Sequence, residues 1–216
     1  MRHFSKETPP AEFEAWKART NDDWQPSYSN LQNPEKKKLH EALLNEQRGV
    51  CCYCGRSISI ADSHIEHFRP QEHYESLALN YENLFASCIR EKEPGNPLHC
   101  GHAKENSFDE EKHISPLDPT CEGRFAYTPE GAILPAKATD ENAKYMSNLL
   151  KLDIEFLQNR RAEVLQQVFD AAFLDSATTA ELERLAQAYR ATTNGGRVSF
   201  GHVVARYAEQ LLERPI

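Results

Sequence analysis

Five of the chain's six cysteines and five of its nine histidines lie between Cys51 and His102, in a sequence of 216 residues. They form two groups of different chemical hardness. Cys51 and Cys54 stand three positions apart in a tight Cys-Cys-Tyr-Cys-Gly turn and can share one soft cation, which Cys88 and Cys100 would enclose as a tetrahedron. Zn2+ in a structural role suits four thiolates. The run His64-Ile65-Glu66-His67, with Asn83 and His102, offers imidazole, carboxylate and amide groups instead. Those suit a harder cation with open positions for water and a phosphate oxygen, which is the chemistry of metal-assisted phosphodiester hydrolysis.

Glu66 and His67 are neighbours, and in a regular strand their side chains leave on opposite faces. Both serve one point only where the strand bends, and Pro70 supplies a reason for a break there because it donates no ladder hydrogen bond and holds Arg69 extended. Glu66 then holds the cation, and neutral His67 takes a proton from the attacking water. Asn83 is expected to bond the second nitrogen of that imidazole, and His102 to bring a further metal ligand. Cys52 and Cys121 read as bystanders. His64, His73 and His99 read as structural or exposed, although His64 shares a strand face with Glu66.

These residues together resemble the HNH endonucleases, many of which carry a zinc-stapled ββα-metal core. The resemblance is carried by Cys51, Tyr53, Cys54 and Gly55, by His64 to His67 with Pro70, by Asn83-Leu84, and by Cys88, Cys100 and Lys104. It implies that Glu66 ligates a catalytic Mg2+ or Mn2+, that His67 is the general base and that Asn83 orients it. The family commonly has Asn or His directly after the last cysteine, whereas this chain has Gly101 followed by His102. His102 is therefore the first choice for the last ligand, and Asn106, one helical turn on, the second. Arg69 and Lys104 are candidates to meet phosphate oxygens. Asn45 to Gly49, Ile65 to Pro70, Cys100 to Lys104 and Ser115 to Pro119 extend the likeness to the PtuB-type HNH subunits of Septu and retron-associated antiphage systems. Members of that group work with an ATPase, PtuA, which implies such a partner here.

The surrounding elements must hold these groups in place. Thr8-Pro9-Pro10 predicts a short helix bearing Phe13 and Trp16, and Asn33-Pro34 a capped helix ending before Gly49, with Lys36 to Lys38 on a solvated face. Next come the cysteine turn, a strand through His64–Phe68, a second extended piece and a helix from about Gly101. Arg124–Tyr127 and Ala132–Leu134 flank a Thr-Pro-Glu-Gly turn and predict a hairpin. Leu157, Val164, Leu165 and Val168 mark one later helix, and Leu182, Leu185, Ala186 and Tyr189 another, the latter opened by a Thr178/Glu181 capping box. Asn194-Gly195-Gly196 ends it, and Ser199 is expected to cap a last helix with Phe200, Val203, Val204, Tyr207 and Leu211. The chain reads as α+β and mostly helical around the ββα module. Its segments are 1–49 (helical), 50–108 (the module) and 109–216 (hairpin and helices), as one compact domain or two lobes.

No apolar run approaches the length of a membrane span, and the first residues lack a secretory signal, so a cytoplasmic location is expected, where clustered cysteines favour metal over disulfides. The formal net charge is −8. Affinity for nucleic acid comes largely from Lys and Arg displacing counterions, so such a chain binds its substrate weakly alone. A partner that contributes basic surface or delivers substrate is inferred. DNA is favoured by the resemblance, with RNA, including tRNA, as the alternative substrate. Rival readings are a catalytically silent zinc-binding adaptor for the ATPase and a stand-alone repair or restriction nuclease with a basic face of its own.

Overall fold

The computed structural model describes residues 1–191 and 198–213. The expected helix break at Asn194-Gly195-Gly196 lies outside the described residues. Two short antiparallel strand pairs sit among helices. β1 (Ser63–His67) pairs with β2 (Leu84–Cys88) from Ser63↔Cys88 to His67↔Leu84, and β3 (Phe125–Tyr127) pairs with β4 (Ile133–Pro135). A single helical turn, α3 (Gly101–Lys104), completes a ββα unit with the first pair. The mixed α+β architecture is the expected one.

In front of this unit, α1 (Ala11–Lys17) buries Phe13 and Trp16, and α2 (Glu35–Glu46) lays Leu39, Leu43 and Leu44 against the β1–β2 hairpin. Pro34 opens α2, and no side chain caps it. Lys37 and Lys38 pair with Glu41 on the solvated face, while Lys36 turns inward over the Tyr28 ring.

Behind the unit, α4 (Glu141–Leu149), α5 (Glu155–Val168), α6 (Ala171–Ser176), α7 (Thr179–Arg190) and α8 (Gly201–Leu212) form a helical backing. α8 is the central element and packs on α7, α5 and β3. Val203, Val204, Ala205, Tyr207 and Ala208 are all buried along it. The Thr178/Glu181 capping box forms as expected, but Ser199 does not cap α8. Phe200 takes that place in a left-handed conformation, and the Ser199 hydroxyl accepts the amide of Ser57 instead. That bond, with the Phe200 amide donating to the Gly55 carbonyl (2.8 Å), ties the start of α8 to the cysteine turn. The Cys100 amide likewise donates to Leu150 at the end of α4 (2.8 Å). In the β3–β4 turn, Gly131 has φ +82°, and a side chain there would run into the α5 backbone at Gln158.

Candidate nuclease site

The cysteine turn, the end of β2 and the start of α3 bring Cys51, Cys54, Cys88 and Cys100 together with all four sulfurs within 4.8 Å of one another, all buried. Cys54 and Cys88 Sγ are 3.8 Å apart. A tetrahedron with metal–sulfur bonds of about 2.3 Å has edges of about 3.8 Å, so the set fits one zinc-sized ion. Cys52, whose thiol interacts with that of Cys51, and Cys121 are not members of this four-sulfur group, and each is a buried thiol whose pKa burial raises. His99 was expected to be structural or exposed; it is buried beside the cluster, with Nδ1 3.2 Å from Cys100 Sγ and its ring stacked on Phe156.

β1 carries the harder donors. Its register runs unbroken through His67↔Leu84, and the Phe68 amide continues it by donating to Asn83 O. The expected bend between Glu66 and His67 is therefore absent, and the two side chains leave opposite faces of the strand. Glu66 turns toward α3, where Oε1 accepts from the Tyr53 hydroxyl (3.1 Å) and Lys104 Nζ (3.0 Å), and Oε2 lies 3.4 Å from His64 Nε2. Burial alone would raise the Glu66 carboxyl, but the His64 hydrogen bond and the Lys104 charge outweigh it and hold it below its usual range. Lys104 is only 1% exposed, so the expectation that it meets phosphate is corrected: it is an internal counter-ion, because α3 ends at once and folds it inward.

On the other face, the His67 ring packs edge-on against Tyr28 at 4.4 Å, and Nε2 bonds the carbonyl of Ala78 (3.1 Å). Desolvation lowers its pKa, which favours neutral imidazole with Nε2 as the donor and Nδ1 carrying the lone pair. The expected bond from Asn83 to this ring is not formed. Asn83 instead accepts the Arg69 amide (2.8 Å) and donates to the carbonyls of Arg69 (2.9 Å) and Leu77 (3.2 Å). It thereby clips shut the loop from Pro70 to Tyr81, and that loop presents Ala78 to His67.

The remaining candidates separate. Among the described residues, the four cysteines are the sole group of three or more His, Cys, Asp or Glu donors close enough to hold one ion, so Glu66 and His102 do not form the expected shared site with another such donor. His102 Nε2 bonds the Ile89 carbonyl (3.0 Å), and its ring lies 4.5 Å from that of His64. Asn106 is not on a helix: Glu105, at φ 50°, ends α3, and Asn106 bonds Glu72 across a cleft of 580 Å3 that Tyr28, Ala78 and Leu79 also line. Arg69 lies over the Phe108 ring, with its guanidinium paired to Glu110 at 2.9 Å.

No family model matches the chain. Over 140 residues, 62% of the chain, it is 26% identical to the candidate HNH endonuclease of retron Vc95 from Vibrio cholerae serotype O1 biovar El Tor. The match spans 66% of that relative, just under two thirds of its length. The likeness is to the HNH endonucleases.

In HNH terms, Gly101 occupies the position where the family commonly has Asn or His. Its bare α-carbon faces the Glu66–His64 pair: a Cβ there would stand 2.4 Å from Glu66 Oε2 and 2.7 Å from His64 Nε2. The space for a helix ligand is filled by donors from the strand. Tyr28, Tyr53 and the inward-facing Lys104 are the site residues that sequence reasoning missed or misplaced. Tyr53 had a usable signal, since it lies inside the cysteine turn that the resemblance already quoted. Tyr28 had none, because it enters from a segment 39 positions before His67. Burial and the Glu66 charge push its hydroxyl up to about 12, so it stays a neutral wall beside the imidazole.

Proposed function

We propose that this chain is a metal-dependent HNH endonuclease that hydrolyses nucleic-acid phosphodiester bonds, with residues 50–108 as its catalytic module and residues 1–49 and 109–216 as supports. The observation that carries the reading is the pair at the end of β1: a buried Glu66 held by Lys104 and Tyr53 and a His67 anchored on the Ala78 carbonyl, consecutive residues with side chains on opposite faces of a hairpin framed by four thiols. Structural Zn2+ fits the thiols. A Mg2+ or Mn2+ ion held at Glu66 would stabilise charge on the scissile phosphate and on the departing 3′ oxygen.

The chain's own residues would do the rest. Ala78 O holds the Nε2–H of His67, which leaves Nδ1 to accept a proton from the water that attacks phosphorus; breaking the bond to the 3′ oxygen then leaves a 5′ phosphate and a 3′ hydroxyl. Asn83 fixes the loop that supplies this carbonyl. Lys104 and Tyr53 keep Glu66 ionised and aimed. Lys36, above the Tyr28 ring, brings positive charge to the side where a nucleic-acid strand would lie. DNA is the favoured substrate, and the working form is an effector subunit of a cytoplasmic antiphage complex with a PtuA-like ATPase. The retron named with the Vibrio relative and the −8 charge, which calls for help in holding nucleic acid, support that assignment.

The test is cleavage of plasmid DNA and of structured RNA by the zinc-loaded protein with Mg2+ or Mn2+, with and without the ATPase. His67→Ala should keep zinc and fold while losing at least about 100-fold in rate. Full activity in a folded His67→Ala protein rejects the base. Cleavage of RNA alone moves the reading to an RNase of the same system, and binding to the ATPase with no cleavage of either substrate moves it to the silent adaptor.

A further inference from the structure

We propose that His64 and Glu66 are the protein's paired donors to the catalytic divalent cation, with His64 taking the place of the helix side chain missing at Gly101. The inference rests on the nuclease reading above and names the ligand set of its site.

His64 and Glu66 are two residues apart on β1, so they share a face of the strand. Every other donor position of the two groups is in use. His64 Nδ1 bonds the Ile89 carbonyl (2.6 Å), while Glu66 Oε1 holds both the Tyr53 hydroxyl and Lys104. A ring nitrogen fixed by a backbone carbonyl, with the opposite nitrogen left for the metal, is how metal-binding histidines are commonly oriented. What remains is Nε2 of one residue and Oε2 of the other, 3.4 Å apart. Two ligands about 2.1 Å from Mg2+ in adjacent octahedral positions stand about 3.0 Å apart, so a small closure suffices.

Gly101 is consistent with the assignment. A Cβ at Gly101 would meet these same two side-chain ends at 2.4 and 2.7 Å, so in this fold the pair occupies the space that a residue at this position would otherwise enter. No ligand can come from there, and none is needed if His64 supplies it. His102 stands behind the His64 ring, with its Nε2 committed to the same Ile89 carbonyl. Lys104 keeps Glu66 to one free oxygen, and its charge weakens the hold on a cation, as suits an ion that exchanges with solvent. The His64 side chain is 21% exposed, so water and a phosphate oxygen can reach the remaining positions.

The experiment uses the full zinc-loaded chain with Mn2+ as probe, read by the loss of the free-ion electron paramagnetic resonance signal and by nitrogen modulation of the bound ion's echo. Wild type should bind one weakly held Mn2+ showing coupling to an imidazole nitrogen. His64→Ala and His64→Gln should each lose that coupling and bind Mn2+ at least tenfold more weakly while keeping one zinc per chain, and His102→Ala should retain the coupling. Coupling that survives in a His64 variant, or that disappears in His102→Ala, overturns the assignment. So does a wild-type protein that binds no Mn2+ beyond its zinc site. If the His64-dependent coupling is present and neither DNA nor RNA is cut, the nuclease reading fails and the metal site stands. If cleavage and coupling both ignore His64, the site falls and the nuclease survives.

Discussion

Lys104→Met tests the most consequential difference between the chain as read and the chain as folded. If Lys104 served substrate phosphate, its removal would leave stability untouched. In the fold it is the buried counter-ion of Glu66, 3.0 Å from Oε1, with side chains 1% and 8% exposed. Removing one member of a buried pair costs about 3–5 kcal/mol, because the other charge is left uncompensated. Tyr53 and His64 still serve the carboxylate, which argues for the lower end, about 3 kcal/mol. For a chain of this length that is a fall of roughly 6–12 °C in Tm. The assay is urea unfolding followed by circular dichroism, with zinc present and no added Mg2+. The double variant Lys104→Met/Glu66→Gln removes the stranded charge and should recover at least about 1.5 kcal/mol relative to additivity. A Lys104→Met protein within about 0.5 kcal/mol of wild type, or a strictly additive double variant, would refute the buried ion pair.

Cys54→Ser should lose zinc, measured by atomic absorption, together with cooperative unfolding, since such a site contributes on the order of 10 kcal/mol to a small module and the start of α8 is tied to Gly55 beside it. Asn83→Ala breaks three hydrogen bonds that close the Pro70–Tyr81 loop and should destabilise by about 2 kcal/mol; limited proteolysis should then cut within that loop, and an uncut loop would show that other contacts hold it. His40, half-buried against Ser63, has its pKa lowered to about 4 by desolvation and by the nearby His64 charge. It is neutral in both states above pH 6.5, but between 6.5 and about 4 the unfolded chain takes up a proton that the fold refuses. Stability should fall across that window, by on the order of 1 kcal/mol after solvent screening, and His40→Gln should flatten this part of the profile in urea titrations at stepped pH.

Spacing made the four thiols legible, because Cys51-x2-Cys54 fixes a turn and two later cysteines have little else to do in a metal-binding module. The helices followed from apolar periodicity and from one reciprocal cap, Thr178 with Glu181, whose bonding is local. What failed was non-local. The expectation for Asn106 puts it one turn beyond His102, on a helix that in fact stops at Glu105, where a positive φ redirects the chain, and nothing in Lys-Glu-Asn-Ser announces that stop. Ser199 was assigned to its own helix because capping is the commonest use of a serine there, yet its hydroxyl serves Ser57, 142 positions away. Lys104 was read as exposed because lysine usually is, and only the fold reveals the buried carboxylate opposite it.

The unbroken register of β1 also bears on the chemistry. A bend was expected so that Glu66 and His67 could meet at one point, but in-line displacement at phosphorus does not ask for that. The attacking water and the departing oxygen stand on opposite sides of the phosphate, so the group that activates the one and the group that supports charge on the other must also be separated. Adjacent residues of a regular strand deliver that separation without strain, since alternation sends Glu66 toward α3 and His67 toward Tyr28 and the Ala78 carbonyl. The same alternation returns His64 to the side of Glu66. On the proposed reading, a strand of five residues places the metal-binding pair on one face and the base on the other, and the helix beyond Cys100 then contributes a gap at Gly101 and a counter-ion at Lys104.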